Sequence, residues 1–257
     1  MMEVHAVPAF QDNYIWVVAR GGRAAVVDPG DAAPVEAFLE ARGLRLDAVL
    51  ATHHHKDHVG GLQALASRWK CATFGPAGES IEGLGHRLRE GDRIVVPGVE
   101  LEMDVLDIPG HTAGHIAFVS RGADPMVFCG DTLFACGCGR LFEGTPAQMV
   151  RSLAKLAALD PATRVFCGHE YTLANIRFAE AVEPGNPALA ARKPREAARR
   201  ARGEPTLPSS IGEELATNPF LRWQSPEVIA AAQRRAGRPL ADPAEVFAQV
   251  RQWKDSF

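Results

Sequence analysis

Up to about residue 168 the chain alternates short apolar runs with Gly, Pro and Asp breaks, and then it changes character. Residues 2–7 and Tyr14-Ile15-Trp16-Val17-Val18-Ala19 read as strands joined by the polar Gln11-Asp12-Asn13. Ala24-Ala25-Val26-Val27-Asp28 is a third strand, stopped by Pro29-Gly30. Pro34 to Arg42 carries helical spacing at Val35, Phe38 and Leu39 and ends at Gly43. Asp47 to Ala51 reads as a buried strand, and Leu62 to Trp69 as a helix. Strands are predicted near Cys71–Phe74, Ile94–Val96, Val99–Ile108, His115–Val119, Met126–Cys129 and Arg164–Cys167, with one amphipathic helix over Pro146–Ala158. Residues 170–203 are mostly helical, Thr206 to Ser210 read as a loop or linker, and 226–236 and 243–254 are helices opened by Ser-Pro and Asp-Pro. Mixed strands and helices followed by helices alone predict an α/β (α+β) fold, a layered sandwich over 1–168 with a helical domain over 169–257.

Composition narrows the classes. At 257 residues, 46% hydrophobic and 23% charged, the chain is an ordinary globular sequence. A net charge of −3 gives no reason to expect nucleic acid. Residues 175–257 hold 13 Lys/Arg against 10 Asp/Glu, so the basic excess lies there and residues 1–174 are acidic. The basic stretch Arg192 to Arg202 has no interleaved aromatics and reads as a solvated helix face. No run approaches the ~18 apolar residues of a membrane helix, and residues 1–10 do not resemble a secretory signal. Five cysteines without a C-x-x-C pair fit free thiols in a reducing cytoplasm. Cys129 and Cys167 lie in strand-like runs as core residues, and Cys136-Gly137-Cys138 is a weak metal candidate.

The chemistry gathers around Thr52 to Gly61, where His53, His55, Asp57 and His58 fall within six positions. Side chains two apart share a face of extended chain, so His53 and His55 reach one point while His54 faces away. Asp57 and His58 follow on the turn and reach a second point. Imidazole and carboxylate are ligands of zinc, iron and manganese. Three further apolar runs end in glycine and one such group: Pro109-Gly110-His111, Gly130-Asp131 and Gly168-His169. Five histidines and two aspartates are too many for one tetrahedral ion and suit two. His53, His55 and His111 are assigned to one, Asp57, His58 and His169 to the other, with Asp131 bridging. Two ions ~3.5–4 Å apart can deprotonate a shared water. His115 reads as a core residue or a support for the ligands, His5 and His86 as structural.

These motifs resemble the metallo-β-lactamase superfamily, through H-x-H-x-D-H and the later His, Asp and His. Further stretches are similar to the glyoxalase II (hydroxyacylglutathione hydrolase) family: Gly137-Cys138-Gly139-Arg140-Leu141-Phe142-Glu143-Gly144-Thr145, Cys167 to Thr172, Pro208-Ser209, Asn218-Pro219-Phe220-Leu221-Arg222 and Arg251-x-x-Lys254-Asp255-x-Phe257. The resemblance covers the chain essentially end to end. It implies an αββα sandwich with a small C-terminal helical domain, two divalent metal ions (zinc first, iron or manganese as alternatives), and hydrolysis of S-D-lactoylglutathione to D-lactate and glutathione in methylglyoxal detoxification. It also implies glutathione contacts at Arg140, Phe142, Tyr171, Arg251 and Lys254, with Asp57 and Asp131 in the catalytic centre. Arg140 stands where some members have Lys, and Phe142 where some have Tyr; a phenyl ring packs but donates no hydrogen bond. Without the resemblance, Arg251 and Lys254 would read as helix-surface charge.

A thiolate leaves with a conjugate-acid pKa of ~8.5, so a thioester needs no strong general acid, and none stands beside the metal-competent residues. The alternatives are a β-lactamase or lactonase, a persulfide dioxygenase using one iron, and a metal-binding protein without catalysis. The expected partner is a small glutathione thioester, with no nucleic acid and no membrane, acted on by a cytoplasmic monomer.

Overall fold

The structure is a computed structural model that describes residues 2–257. In its first third, β1 (Glu3–Ala9), β2 (Asn13–Arg20), β3 (Arg23–Val27), α1 (Ala32–Arg42), β4 (Arg45–Leu50), α2 (Lys56–Val59), α3 (Leu62–Trp69), β5 (Ala72–Pro76) and β6 (His86–Leu88) follow one another. Their six strands form one sheet in sequence order, antiparallel from β1 to β3 and parallel from β3 to β6. Then come β7 (Arg93–Val96), β8 (Leu101–Asp107), β9 (Ile116–Ser120), β10 (Met126–Gly130), the small hairpin β11 (Leu133–Phe134) and β12 (Gly137–Cys138), α4 (Pro146–Ala157) and β13 (Arg164–Cys167). After them lie α5 (Thr172–Val182), α6 (Pro187–Ala201), β14 (Ser209–Ser210), α7 (Ile211–Thr217), α8 (Pro226–Ala236) and α9 (Pro243–Asp255). The second sheet has the order β14-β13-β10-β9-β8-β7.

Alternation along β2 shows why both faces of the first sheet are covered. Trp16 and Val18 join Val105, Phe118, Phe128 and Phe166 in a core between the sheets. Ile15 and Val17 point the other way, into a second core with Val35 and Leu39 of α1 and Leu62 and Leu65 of α3. Met149, Leu153 and Leu156 of α4 join the central core. The arrangement is helix, sheet, sheet, helix, the αββα sandwich, with further helices after it. α4 starts where the sequence signals it. Thr145 accepts from the Gln148 N–H, Gln148 reaches back to the Thr145 N–H, and Pro146 takes the first helical position.

Two expectations need correction. Ser209-Ser210 is not a linker: it pairs antiparallel with Arg164–Val165 and adds an edge strand to the second sheet. The stretch 170–203 is mostly helical as expected, and it divides into two helices because Pro184-Gly185 interrupts it and Asn186 caps the second. The basic stretch is not wholly solvated. Arg192 is 2% exposed and donates to Thr217 Oγ1 at 2.7 Å and Ser209 Oγ at 3.1 Å, with Glu214 at 2.8 Å. Composition alone could not show that one arginine in the run turns inward to meet a buried carboxylate.

The parallel pairs decide where the chemistry goes. β3 with β4, and β10 with β13, send their C-terminal ends to one edge of the sandwich. The Tyr14 N–H donates to the Gly168 carbonyl (2.8 Å) and the Ile116 N–H to the Thr52 carbonyl (3.0 Å), so the two sheets are stitched together at that edge.

Removing one partner of a buried ion pair leaves the other charge stranded. Arg192→Met is expected to destabilise the fold by about 3–5 kcal/mol and to lower the thermal midpoint by roughly 10 °C. A midpoint within about 2 °C of wild type in calorimetry would mean the pair adds little.

Candidate metal centre

Each ligand candidate sits at a strand end or on the turn that comes after one. His53 and His55 leave β4, Asp57 and His58 ride the single turn of α2, and Asp131 and His169 follow β10 and β13. His111 sits in the loop between β8 and β9. Donor atoms of His53, His55 and His111 lie within 4.8 Å of one another, as do those of Asp57, His58 and His169. Asp131 spans the two sets. Its Oδ1 is 3.4 Å from His58 Nε2, and its Oδ2 is 3.2 Å from His169 Nε2 and 3.5 Å from His111 Nε2.

Hydrogen bonds on the far side of each ring fix which nitrogen faces the centre. His53 Nδ1 donates to Thr52 Oγ1 (3.1 Å), whose hydroxyl donates to Asp28 Oδ2 (2.7 Å). His58 Nδ1 donates to the same Asp28 Oδ2 (3.1 Å). His111 Nδ1 donates to the Arg140 carbonyl (2.9 Å), and His169 Nδ1 to Asp12 Oδ1 (2.8 Å). In its neutral form each of these four rings then has its lone pair on Nε2. Asn13 Nδ2 donates to Asp57 Oδ2 at 3.0 Å and holds that carboxylate.

The inward atoms have the character of cation donors. His53 Nε2, His58 Nε2 and Asp131 Oδ1 are buried and lack any hydrogen-bond partner; such groups are costly unless something else satisfies them. His111 Nε2 and His55 Nδ1 face each other at 3.0 Å, a distance at which two lone pairs need a proton or a cation between them. The residues present therefore fit divalent metal ions.

The charges are coupled. Burial holds the His53 imidazole well below its usual range, and the neighbouring His58 and His115 add to this. Burial likewise lowers His55 and His111. For His58 burial opposes the charge, but the Asp131 and Asp28 carboxylates outweigh it and lift the pKa well above the usual value. His169 is raised in the same way by Asp131, against its burial. Burial would raise Asp131, yet His58 and His169 pull it well below the carboxylate range. A cation entering here displaces protons from His58 and His169, so its affinity falls as pH falls.

The neighbouring candidates divide. His115 uses both nitrogens: Nδ1 donates to the Ile116 carbonyl (3.0 Å) and Nε2 accepts from the Asp131 N–H (3.1 Å). It supports Asp131 and has no lone pair left for a metal. His54 turns away to Glu79 (3.0 Å) and Glu143 (3.5 Å). His86 stacks on Phe74 and His5 packs against Phe38. Cys136 Sγ donates to Thr217 Oγ1 and Cys138 lies by Arg251, with burial pushing the two thiols up to about 12 and about 11. Neither joins a cluster of metal donors among the described residues.

Four supports were missed in the sequence: Asp28, Thr52, Asp12 and Asn13. Asp28 carried a readable signal, since it too ends an apolar strand. It holds a left-handed φ of 53°, a conformation a carboxylate residue tolerates at some cost. Asp12 and Asn13 carried none beyond a polar turn.

Beside the centre opens a cleft of about 760 Å³. Its lining includes His55, Asp57, His111, Asp131 and His169 together with Arg140, Phe142, Tyr171, Arg251 and Lys254. Tyr171 stacks on His169 with ring centroids 4.8 Å apart, and Phe142 lies 5.6 Å from His55 and 5.2 Å from His111. Arg140 is largely exposed and 3.6 Å from Asp255. Arg251 is buried and already donates to the Cys138 carbonyl and to Asp255, each at 2.9 Å. The Lys254 ammonium lies over the Phe178 ring at 5.3 Å, and burial lowers its pKa.

Fold and site together define a class. Residues 9–169 match the family model described as the metallo-beta-lactamase superfamily, and residues 170–257 match the hydroxyacylglutathione hydrolase C-terminus. A hydroxyacylglutathione hydrolase from Alkalilimnicola ehrlichii is 59% identical over 99% of both chains. The chain belongs to the hydroxyacylglutathione hydrolase family, whose members are thioester hydrolases. Among solved structures, ETHE1 from Myxococcus xanthus shares the fold at 24% identity and a TM-score of 0.65, covering 100% of this chain and 99% of its own. TTHA1623, solved in a di-iron-bound form, is 27% identical with a TM-score of 0.59, covering 85% of this chain and 100% of its own. No helix of the described residues is long and apolar enough to cross a membrane.

Gly168 gives a direct test of the site's crowding. A Cβ there would lie 2.5 Å from Asp131 Oδ1 and 2.6 Å from His58 Cε1. Gly168→Ala is expected to weaken divalent-metal binding by about tenfold or more, read as metal content after dialysis against a metal buffer. Metal content equal to wild type would show that the carboxylate yields without consequence.

Proposed function

We propose that the chain hydrolyses S-D-lactoylglutathione to D-lactate and glutathione at a two-metal centre. His53, His55 and His111 would hold one ion and Asp57, His58 and His169 the other, with Asp131 within reach of both sets. The carrying observation is the continuity of that donor set with a cleft that is also lined by the cations Arg140, Arg251 and Lys254. Zinc is the first assignment, with iron or manganese as alternatives, because imidazole and carboxylate donors accept all three. The di-iron form of the 27% identical TTHA1623 supports a pair of ions.

Bound there, two divalent ions acidify a water toward a pKa of ~7 and polarise a carbonyl. The protein supplies the rest. Asp57, its side chain 42% exposed, stands at the cleft side of the centre, steadied by Asn13. Arg140 and Lys254 offer charge to the carboxylates of glutathione. Arg251 adds charge while its N–H groups fasten the wall at Cys138. Burial raises the Tyr171 phenol, so it stays a hydrogen-bond donor at neutral pH, and Phe142 packs beside the acyl group. The leaving thiolate is stable enough, at a conjugate-acid pKa of ~8.5, to depart without a dedicated acid. Residues 1–168 then carry every metal donor except His169, and 169–257 add His169 together with the glutathione contacts Tyr171, Arg251 and Lys254.

The test is hydrolysis of S-D-lactoylglutathione beside a β-lactam and an aryl ester, with metal measured on the same sample. The expected result is strong preference for the thioester with two ions per chain. Preference for either other substrate would overturn the reading. Lys254→Ala is expected to raise KM about tenfold with kcat within about twofold; an equal fall in kcat with unchanged KM would remove Lys254 from the glutathione grip.

A further inference from the structure

The hairpin β11–β12 lies in the chain between Asp131 and Arg140 and supplies no donor atom of its own. Its turn is nevertheless held from the helical region. Asn218 Nδ2 lies within hydrogen-bond reach of the Phe134 carbonyl (3.1 Å) and the Gly137 carbonyl (2.9 Å), donating across the turn. Glu214 Oε2 accepts from the Cys136 N–H at 2.8 Å and lies 2.9 Å from Asn218 Nδ2. Asn175 Nδ2 donates to the Ala135 carbonyl at 3.0 Å. Asn218 and Glu214 are both fully buried, and Arg192 balances the Glu214 charge. Cys136 sits at a φ of 55°, so the turn keeps a conformation that an L-residue adopts at a cost.

The segment after the hairpin, Gly139-Arg140, connects this clamp to the metal centre. The Gly139 N–H returns to the Thr132 carbonyl at 3.2 Å, next to Asp131. The Arg140 carbonyl then accepts from His111 Nδ1 and so leaves Nε2 facing the centre. A path of short contacts therefore runs from Asn218 through the hairpin to Arg140 and the ring of His111. We propose that Asn218, assisted by Glu214, is a positioning residue for the metal centre: it fixes the hairpin whose continuation presents the Arg140 carbonyl to His111. This accounts for the Asn-Pro-Phe-Leu-Arg segment, which lies outside both the donor set and the cleft lining. It rests on the metal reading above.

Arg222, four residues on, provides the comparison. It donates to Glu183 at 2.8 and 3.0 Å and to the Leu215 carbonyl at 3.1 Å, all within the helical region, and makes no hydrogen bond to the hairpin. Loosening it disturbs the helices without touching the path to His111.

The experiment measures cobalt(II) affinity by its visible absorption in wild type, Asn218→Ala, Asn218→Ser and Arg222→Lys, with thermal midpoints alongside. Asn218→Ala is expected to bind cobalt(II) about tenfold more weakly, while Arg222→Lys stays within about twofold of wild type at a comparable loss of midpoint. If the alanine variant does not fold, the serine variant, which keeps one donor, is judged by the same criterion. Affinity within twofold of wild type in a folded Asn218 variant would overturn the proposal. So would an equal loss in Arg222→Lys, which would make the effect one of general stability. Failure of both Asn218 variants to fold would make Asn218 a residue of the fold rather than of the site. Wild-type protein that takes up no cobalt(II) would instead sink the metal reading itself, and this inference with it.

Discussion

Asp28 accepts three hydrogen bonds from three different groups: the Thr52 N–H at 2.8 Å, the Thr52 hydroxyl at 2.7 Å and His58 Nδ1 at 3.1 Å. Through Thr52 it orients His53, and directly it orients His58, so one buried carboxylate sets the tautomer of a ring in each donor triad. His169 and His111 are oriented separately, from Asp12 and from the Arg140 carbonyl. A centre of this kind depends less on the number of imidazoles than on the groups behind them, which decide where each lone pair points.

The same edge resolves an electrostatic conflict. Without a cation the carboxylates draw protons onto the imidazoles: His58 and His169 are raised, while Asp131 is held ionised. Divalent cations relieve the conflict by taking the lone pairs that protons would otherwise take. The metal-competent donors and the cations Lys56, Arg140, Arg251 and Lys254 line one cleft. A bound molecule with a polarisable carbonyl at one end and carboxylates at the other finds partners for both. Glutathione thioesters have that shape of charge.

The two parts of the chain are coupled mechanically. β14 returns from the helical region to pair with β13, and Arg251 of α9 holds the Cys138 carbonyl beside the cleft. The helices thus serve as more than a cover for substrate. They brace the segment between Asp131 and Arg140, where the metal centre and the cleft wall meet.

Much of this was legible in one dimension. Apolar runs closed by Gly and then His or Asp located the strand ends, because a buried strand and a ligand at its tip both leave local marks. The H-x-H-x-D-H spacing marked the first donor group for the same reason. What the residues alone did not show was contact at long range. Arg192 looked like one more surface cation, Ser209-Ser210 like a loop, and Asp12 and Asn13 like an ordinary turn. Their roles depend on partners between 17 and 157 positions away in the chain, which no local pattern encodes. The sequence by itself determined which side chains could hold a cation and on which elements they ride. Only the tertiary structure decided which nitrogen of His53, His58, His111 and His169 turns inward, because that depends on hydrogen-bond partners anchored in other loops, at Asp28, Asp12 and the Arg140 carbonyl.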